Sequence, residues 1–232
     1  MSGTDIFTVT ATDPGGRART GILRTAQGEV ETPVFMPVAT QGAIKALSQE
    51  DLDSLGVQAI LANSYHLYLR PGAVTVQAAG GLHSFMSYRG SILTDSGGFQ
   101  VLSLADLREV GDEGVTFRSH LDGSEHTLTP ESVVALQAEL GSDIWTALDE
   151  PAEYPCTETR ASAALHRTQR WLEASEKAFL KCNQSRERPA LFFPILQGGL
   201  FPDLRKEAAE HMAGISHQGV SLGGFSVGEP KE

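Results

Sequence analysis

Ser91-Ile-Leu-Thr-Asp-Ser-Gly-Gly-Phe-Gln100 passes within ten positions from β-favouring residues, Ile92, Leu93 and Thr94, to a carboxylate, a hydroxyl, two glycines, an aromatic ring and an amide. A buried strand that opens at its C-terminal end onto Asp95-Ser96-Gly97-Gly98 sets a carboxylate at the rim of a sheet, where chemistry sits in α/β folds. The glycines let backbone approach a flat ligand, and Phe99 can stack on it. The same residues also read as a helix N-cap at Asp95 or Ser96 followed by a Gly-rich turn. The rest of the chain decides between these readings.

The 232 residues are enough for one domain with a sizeable core, or two small ones. A hydrophobic fraction of 41% and a charged fraction of 20% are ordinary for a globular protein. The net charge of −11 argues against broad nonspecific nucleic-acid binding, because phosphate contacts need Lys and Arg. The two cysteines, Cys156 and Cys182, stand in no Cys-x-x-Cys or Cys/His spacing, so neither a disulfide framework nor a zinc site is expected. No signal-peptide pattern opens the chain and no apolar run approaches roughly 18 residues. The expectation is a reduced, cytoplasmic protein without a membrane span.

Outward from the central segment, strands and helices alternate. Residues 6–33 read as a β-hairpin turning at Asp13-Pro-Gly-Gly16. Val34–Val38 is the first candidate for a buried parallel strand, Gln58–Ala62 the second and Ser91–Thr94 the third. Ser48 caps a helix with Asp51 as capping-box partner and Gly56 at its end, and another helix covers Ala73–Ala79. After the third strand, Val115–Ser119, the turn Leu121–Ser124 and Glu125–Thr129 form an inserted hairpin. A helix then starts at Thr129-Pro130 and runs to about Gly141. Asp143–Leu148 is the fourth strand, ending on Asp149-Glu150; a long amphipathic helix spans Ala161 to Cys182. Ala190–Leu196 is the fifth strand, ending on Gln197-Gly-Gly199. A helix over Leu204–Met212 and a sixth strand, Gly219–Leu222, complete the pattern, the latter ending on Gly223-Gly-Phe-Ser-Val-Gly-Glu229.

Six apolar strands separated by helices imply an α/β fold with a parallel sheet and right-handed crossovers. A doubly wound sheet and a (β/α)8 TIM barrel both fit. The absence of Gly-x-Gly-x-x-Gly after the first strand weakens a dinucleotide fold, and functional groups at successive strand ends are what a barrel rim looks like. A barrel needs eight strands, and the chain carries about six.

Asp95-Ser-Gly-Gly-Phe-Gln100, Leu148-Asp-Glu150, Leu196-Gln-Gly-Gly199 and Gly223-Gly-Phe-Ser-Val-Gly-Glu229 stand in this order, with Asn63-Ser-Tyr-His-Leu67 and Leu69-Arg-Pro-Gly72 upstream. Together they resemble bacterial tRNA-guanine transglycosylases (queuine tRNA-ribosyltransferases), over nearly all of the chain. The resemblance implies a TIM barrel present only in its N-terminal part, as one domain over 1–232. It implies a cytoplasmic transferase of queuosine biosynthesis that exchanges the wobble guanine of tRNA for 7-aminomethyl-7-deazaguanine by double displacement. A base splayed from an anticodon must be stacked and bound by its edge. Asp149 matches the family's recognition aspartate for guanine's N1–H and amine donors. Gln197, Gly223, Gly224 and Phe225 match the groups on the opposite edge, and Phe99 the stacking position, within the binding segment Asp95, Ser96, Gly97, Gly98, Phe99 and Gln100. Asp95 matches the acid/base aspartate. Val227 resembles the bacterial form, which takes the small precursor; the eukaryotic form has a smaller residue there and accepts bulky queuine.

The family's nucleophilic aspartate, its tRNA-contacting arginines and its Cys/His zinc ligands map onto no residue here, so neither a nucleophile nor a metal site is assigned. The resemblance also implies a homodimer for the complete protein. Three functions stay open at this level: base exchange on tRNA, a related DNA deazaguanine transglycosylase, and a non-catalytic base-binding or accessory protein. Two carboxylates in one pocket should push one pKa upward. A barrel cut after six strands should leave unpaired edges and associate. His66 reads as a structural histidine, Glu150 is left without a role, and the five arginines and two lysines from Arg160 to Arg188 read as a solvated helix face.

Overall fold

The computed structural model describes residues 5–104 and 108–230. Three antiparallel strands open it: β1 (Phe7–Thr12), β2 (Arg19–Arg24) and β3 (Glu29–Thr32), in the order β1-β2-β3. The expected hairpin is thus a three-stranded sheet, because the Thr25–Gly28 turn returns the chain once more, Thr25 N donating to Gly28 O at 2.9 Å. Val34–Val38 is not a regular strand. Pro33 and Pro37 lack the N–H donors a ladder needs, and the segment keeps one parallel bridge, Val38 to Leu61, with Phe35 81% exposed.

Then follow α1 (Gln49–Ser54), β4 (Ala59–Ala62), α2 (Ser64–Leu69), α3 (Ala73–Ala78), α4 (Leu82–Met86) and β5 (Ser91–Thr94). Both arms of the Ser48/Asp51 capping box form, and Gly56 stands just past the end of α1 with φ +64°. The segment after β5 becomes α5 (Gly98–Leu104). The insertion holds three strands rather than two, β6 (Arg108–Val110), β7 (Val115–Arg118) and β8 (Glu125–Leu128). α6 (Pro130–Leu140), capped by Thr129, leads to β9 (Ile144–Thr146) and the long α7 (Glu158–Asn183). Pro194 breaks the fifth strand into β10 (Leu191–Phe193) and β11 (Ile195–Leu196). The series closes with α8 (Pro202–Met212) and β12 (Ser221–Leu222).

The main sheet has the order β10-β9-β5-β4, all parallel, and β11 pairs in parallel with β12. Strands neighbouring in space are therefore neighbours in sequence along the whole run, without the reversal of strand order that marks a doubly wound sheet. The fold is α/β with a parallel sheet.

Helices bury one face of this sheet: Val134, Trp145, Leu172, Phe179, Phe192 and Met212 form one cluster. Leu23 and Val30 of the N-terminal sheet pack on Ala59, Ile144 and Leu191, the first residues of β4, β9 and β10. The antiparallel sheet thereby covers the N-terminal ends of the strands and leaves their C-terminal ends open. Just below that open end, the buried Gln137 of α6 stitches two strands together. Its Oε1 accepts from Thr94 Oγ1 at 2.9 Å and Thr146 N at 3.0 Å, while its Nε2 donates to Thr146 O at 2.9 Å. A satisfied buried amide at this position fixes the height at which β5 and β9 release Asp95 and Asp149.

Candidate base-binding site

A cavity of about 260 Å³ lies at the C-terminal ends of β5, β9, β11 and β12. Of the residues singled out in the sequence, Asp95, Ser96, Gly97, Phe99, Gln100, Asp149, Gln197, Gly223, Gly224, Phe225 and Val227 line it. Gly98 stands behind them, where a Cβ would come within 2.5 Å of the Asp149 carbonyl oxygen and 3.0 Å of its Oδ1. Only a residue without a side chain allows that approach. Thr146, Ile195 and Ser221 also line the cavity from β9, β11 and β12, whose side chains alternate between core and rim, and Pro151 lines it from the segment after β9.

Asp149 is buried, and both carboxylate oxygens accept hydrogen bonds: Oδ1 from Ser96 Oγ at 3.0 Å and Oδ2 from Gln197 Nε2 at 2.7 Å. Ser96 in turn accepts from Gly98 N at 3.2 Å, so the serine of the central segment relays α5 to β9. Burial raises the Asp149 pKa to about 6 against those hydrogen bonds, and the charge of Asp95 pushes the same way. Asp95 is likewise raised, first by burial, opposed by the Asn63, Ser64, Gln100 and Gly97 bonds. The mutual repulsion expected from two carboxylates is thus a smaller contribution than desolvation.

Asp95 accepts from Asn63 Nδ2 at 2.5 Å and from Ser64 N, the first residue of α2, at 2.9 Å. The capping role expected of Asp95 exists, but it serves α2 from across the sheet and not the helix that follows in sequence. Gln197 Oε1 and Gln100 Oε1 are buried with no partner in the structure. Gly224 at φ +76° brings the 223–224 backbone against Gln197, where a Cβ would lie 3.2 Å from Oε1. Phe99 and Phe225 are half exposed, at 49% and 47%. Ser226 N and Val227 N both donate to the Glu229 carboxylate, the latter at 2.8 Å, which lowers the Glu229 pKa.

A second, larger cavity of about 430 Å³ adjoins the first, sharing Phe99, Pro151 and Val227 and reaching Arg108, Tyr154 and Arg160.

Glu150, left without a role by sequence, is buried under two arginines. Arg160 Nη2 reaches its Oε1 at 2.8 Å, Arg167 Nη1 pairs with its Oε2, and its backbone N donates to Thr168 Oγ1 at 3.0 Å. Arg170 pairs with Asp112 of the insertion at 2.6 Å, and Arg186 lies over Trp145. The run from Arg160 to Arg188 is therefore no simple solvated face. Interleaved glutamates gave no hint that the partners would come from other elements. His66 packs edge-on against Tyr65 and His120, with ring centroids 5.2 and 5.9 Å away. Among the described residues, no group of three or more His, Cys, Asp and Glu could hold a metal, and no helix is long and apolar enough to cross a membrane.

Among the described lining residues of the smaller cavity there is no Lys or Arg, so it offers nothing to neutralise an anionic head group. Buried carboxylates, amides with unused acceptor oxygens and two exposed rings suit a flat, uncharged ligand rich in N–H donors. An α/β protein with polar groups gathered at the ends of its parallel strands carries them where enzymes of that fold class place their sites. The family model for queuine tRNA-ribosyltransferase matches residues 13–232, and the chain belongs to that family of glycosyltransferases. It is 52% identical over 240 residues to the queuine tRNA-ribosyltransferase of Koribacter versatilis (strain Ellin345), covering 100% of this chain and 62% of that protein. The Moorella thermoacetica protein of the same name is 52% identical over 226 residues, 97% of this chain and 59% of the relative. That of Desulforamulus reducens is 53% identical over 216 residues, 93% and 57%. The chain thus spans about three-fifths of the length of the relatives it matches.

Proposed function

We propose that this chain forms the base-binding part of an enzyme that exchanges guanine at the wobble position of tRNA for 7-aminomethyl-7-deazaguanine. The observation that carries the reading is the buried Asp149, held by Ser96 and Gln197 in a cavity free of basic side chains among its described residues. Asp149 accepts from N1–H and the exocyclic amine of the base, each oxygen having a lone pair beyond its present bond. Gln197 and the Gly223–Phe225 backbone meet the opposite edge, and Phe99 stacks on the ring. Asp95 gives a proton to the departing guanine and takes one from the ring nitrogen of the incoming base. The nucleophile that forms the covalent ribosyl intermediate is assigned to none of these residues, since Asp95 and Asp149 are engaged with the bases.

The run of parallel strands in chain order, plugged at one end and open at the other, supports a TIM barrel of which residues 1–232 form a part, as one domain. Among the described residues no cluster fits the zinc implied by the family, and no step is derived through it. The complete protein is proposed as a cytoplasmic homo-oligomer acting on tRNA.

The test is incorporation of labelled guanine by the complete protein, offered tRNA and DNA in parallel. Uptake into tRNA that disappears in Asp149→Ala is expected. Uptake into DNA would make this a deazaguanine transglycosylase of DNA, and guanine binding without uptake would make it a non-catalytic base-binding protein.

A further inference from the structure

We infer, on the base-pocket reading above, that Arg205 is a positioning residue whose guanidinium sets the affinity for the free base. Arg205 lies in the first turn of α8 and is not among the residues lining the 260 Å³ cavity. Its Nη1 donates to two backbone carbonyls, Gly199 O at 3.3 Å and Gly223 O at 3.0 Å, and its guanidinium carbon sits 4.4 Å from the centroid of the Phe225 ring. One side chain therefore holds both Gly-rich loops that deliver Gln197 and Gly224 to the pocket, together with the ring between them.

The need for such a clamp follows from the ladder beneath it. β11 and β12 pair over two residues only, Ile195 with Ser221 and Leu196 with Leu222, and their last bond runs from Gly223 N to Leu196 O at 2.9 Å. Beyond it the loops would part, because Gly198 and Gly224 sit at φ +122° and +76°, off the strand conformation. The guanidinium bridges the carbonyls past that last rung. One nitrogen, Nη1, donates to both carbonyls while the guanidinium plane faces the Phe225 ring; an ammonium has donors enough for the carbonyls but no plane to lay against the ring. The loops are in contact, since a Cβ on Gly224 would lie 3.3 Å from Gly199 N, so a shift of either moves the Gln197 amide.

The complete protein is assayed for guanine exchange as wild type, Arg205→Lys and Arg205→Met. Arg205→Met is expected to raise KM for guanine about tenfold, with kcat at saturating guanine and KM for tRNA within about twofold, and Arg205→Lys to fall between. An unchanged KM for guanine, or a parallel loss in all three parameters, overturns the inference. If Arg205→Met does not fold, a smaller rise in KM for guanine alone in Arg205→Lys carries the test, and an unchanged KM in Arg205→Lys overturns the inference. Calorimetric binding of guanine separates this idea from the function beneath it. Weaker binding by Arg205→Met in a protein that exchanges nothing would remove the exchange activity and keep the clamp; equal binding by wild type and variant overturns the clamp.

Discussion

Replacing Asp149 by Asn should stabilise the fold while destroying its base affinity. Holding a carboxyl whose ordinary value is 3.8 at about 6 costs the ionised folded state about 3 kcal/mol. The sign follows from the direction. A folded-state pKa raised above the unfolded one gives stability that is complete below the unfolded value and lost as pH rises through about 6. Asparagine carries no charge and escapes that loss. Its amide would place an N–H where Gln197 Nε2 now donates, but Gln197 Oε1 has no partner, so turning that amide over restores the bond. Ser96 Oγ keeps an acceptor. We expect Asp149→Asn to be about 2 kcal/mol more stable than wild type near pH 8, allowing for weaker neutral hydrogen bonds. The assay is urea unfolding of both proteins from about pH 4.5 to pH 8, read as their difference so that other titrating groups cancel. The gain should grow across the acid half of that range and level off above about pH 7. A variant no more stable at the alkaline end, or a difference that does not change with pH, would refute a buried, desolvated Asp149.

The same ionisation predicts that guanine affinity of the wild type falls about tenfold for each pH unit below the Asp149 value of about 6; a flat profile by calorimetry would deny Asp149 the role of acceptor. Gly98→Ala forces a methyl group against the Asp149 carbonyl and should cost about 1–3 kcal/mol with loss of base binding, measured by thermal melting and calorimetry. Glu150→Gln leaves Arg160 and Arg167 facing a neutral side chain and should destabilise by about 3 kcal/mol in urea, against the small effect expected of a surface pair. Val227→Gly removes one of the three side chains shared by the two cavities, and should raise acceptance of bases with bulky 7-substituents relative to guanine in competition assays.

The elements whose start and stop are chemically local were readable in sequence. The Ser48/Asp51 capping box, the Thr129-Pro130 start and the Ser91–Thr94 strand needed only neighbours along the chain. Val34–Val38 misled because apolar composition says nothing of missing donors, and the two prolines that broke the ladder counted for more than its hydrophobicity. Short pieces such as α4 and β6 leave too little periodicity to detect. At the site, the lining residues came from motifs at strand ends, whereas the contacts that hold them were not readable: Asn63 and Ser64 stood in a quoted motif without a role, and Arg205 in none. Asn63 and the Ser64 backbone hold Asp95 across the sheet, and Arg205 reaches its carbonyls from α8. Partnerships between residues far apart in sequence leave no local trace.

The chain-order run of parallel strands also governs how the pocket comes into being. Asp95, Asp149, Gln197 and Gly223 each sit at the end of a different strand, separated by crossovers through α6, α7 and α8. None of these groups can meet another until the intervening helix has docked, and such non-local closures are the slow ones. Binding competence should therefore be among the last properties gained on refolding. A guanine analogue whose fluorescence reports capture would time the final assembly of the sheet, and slower docking of any one helix would delay the signal from all four groups together.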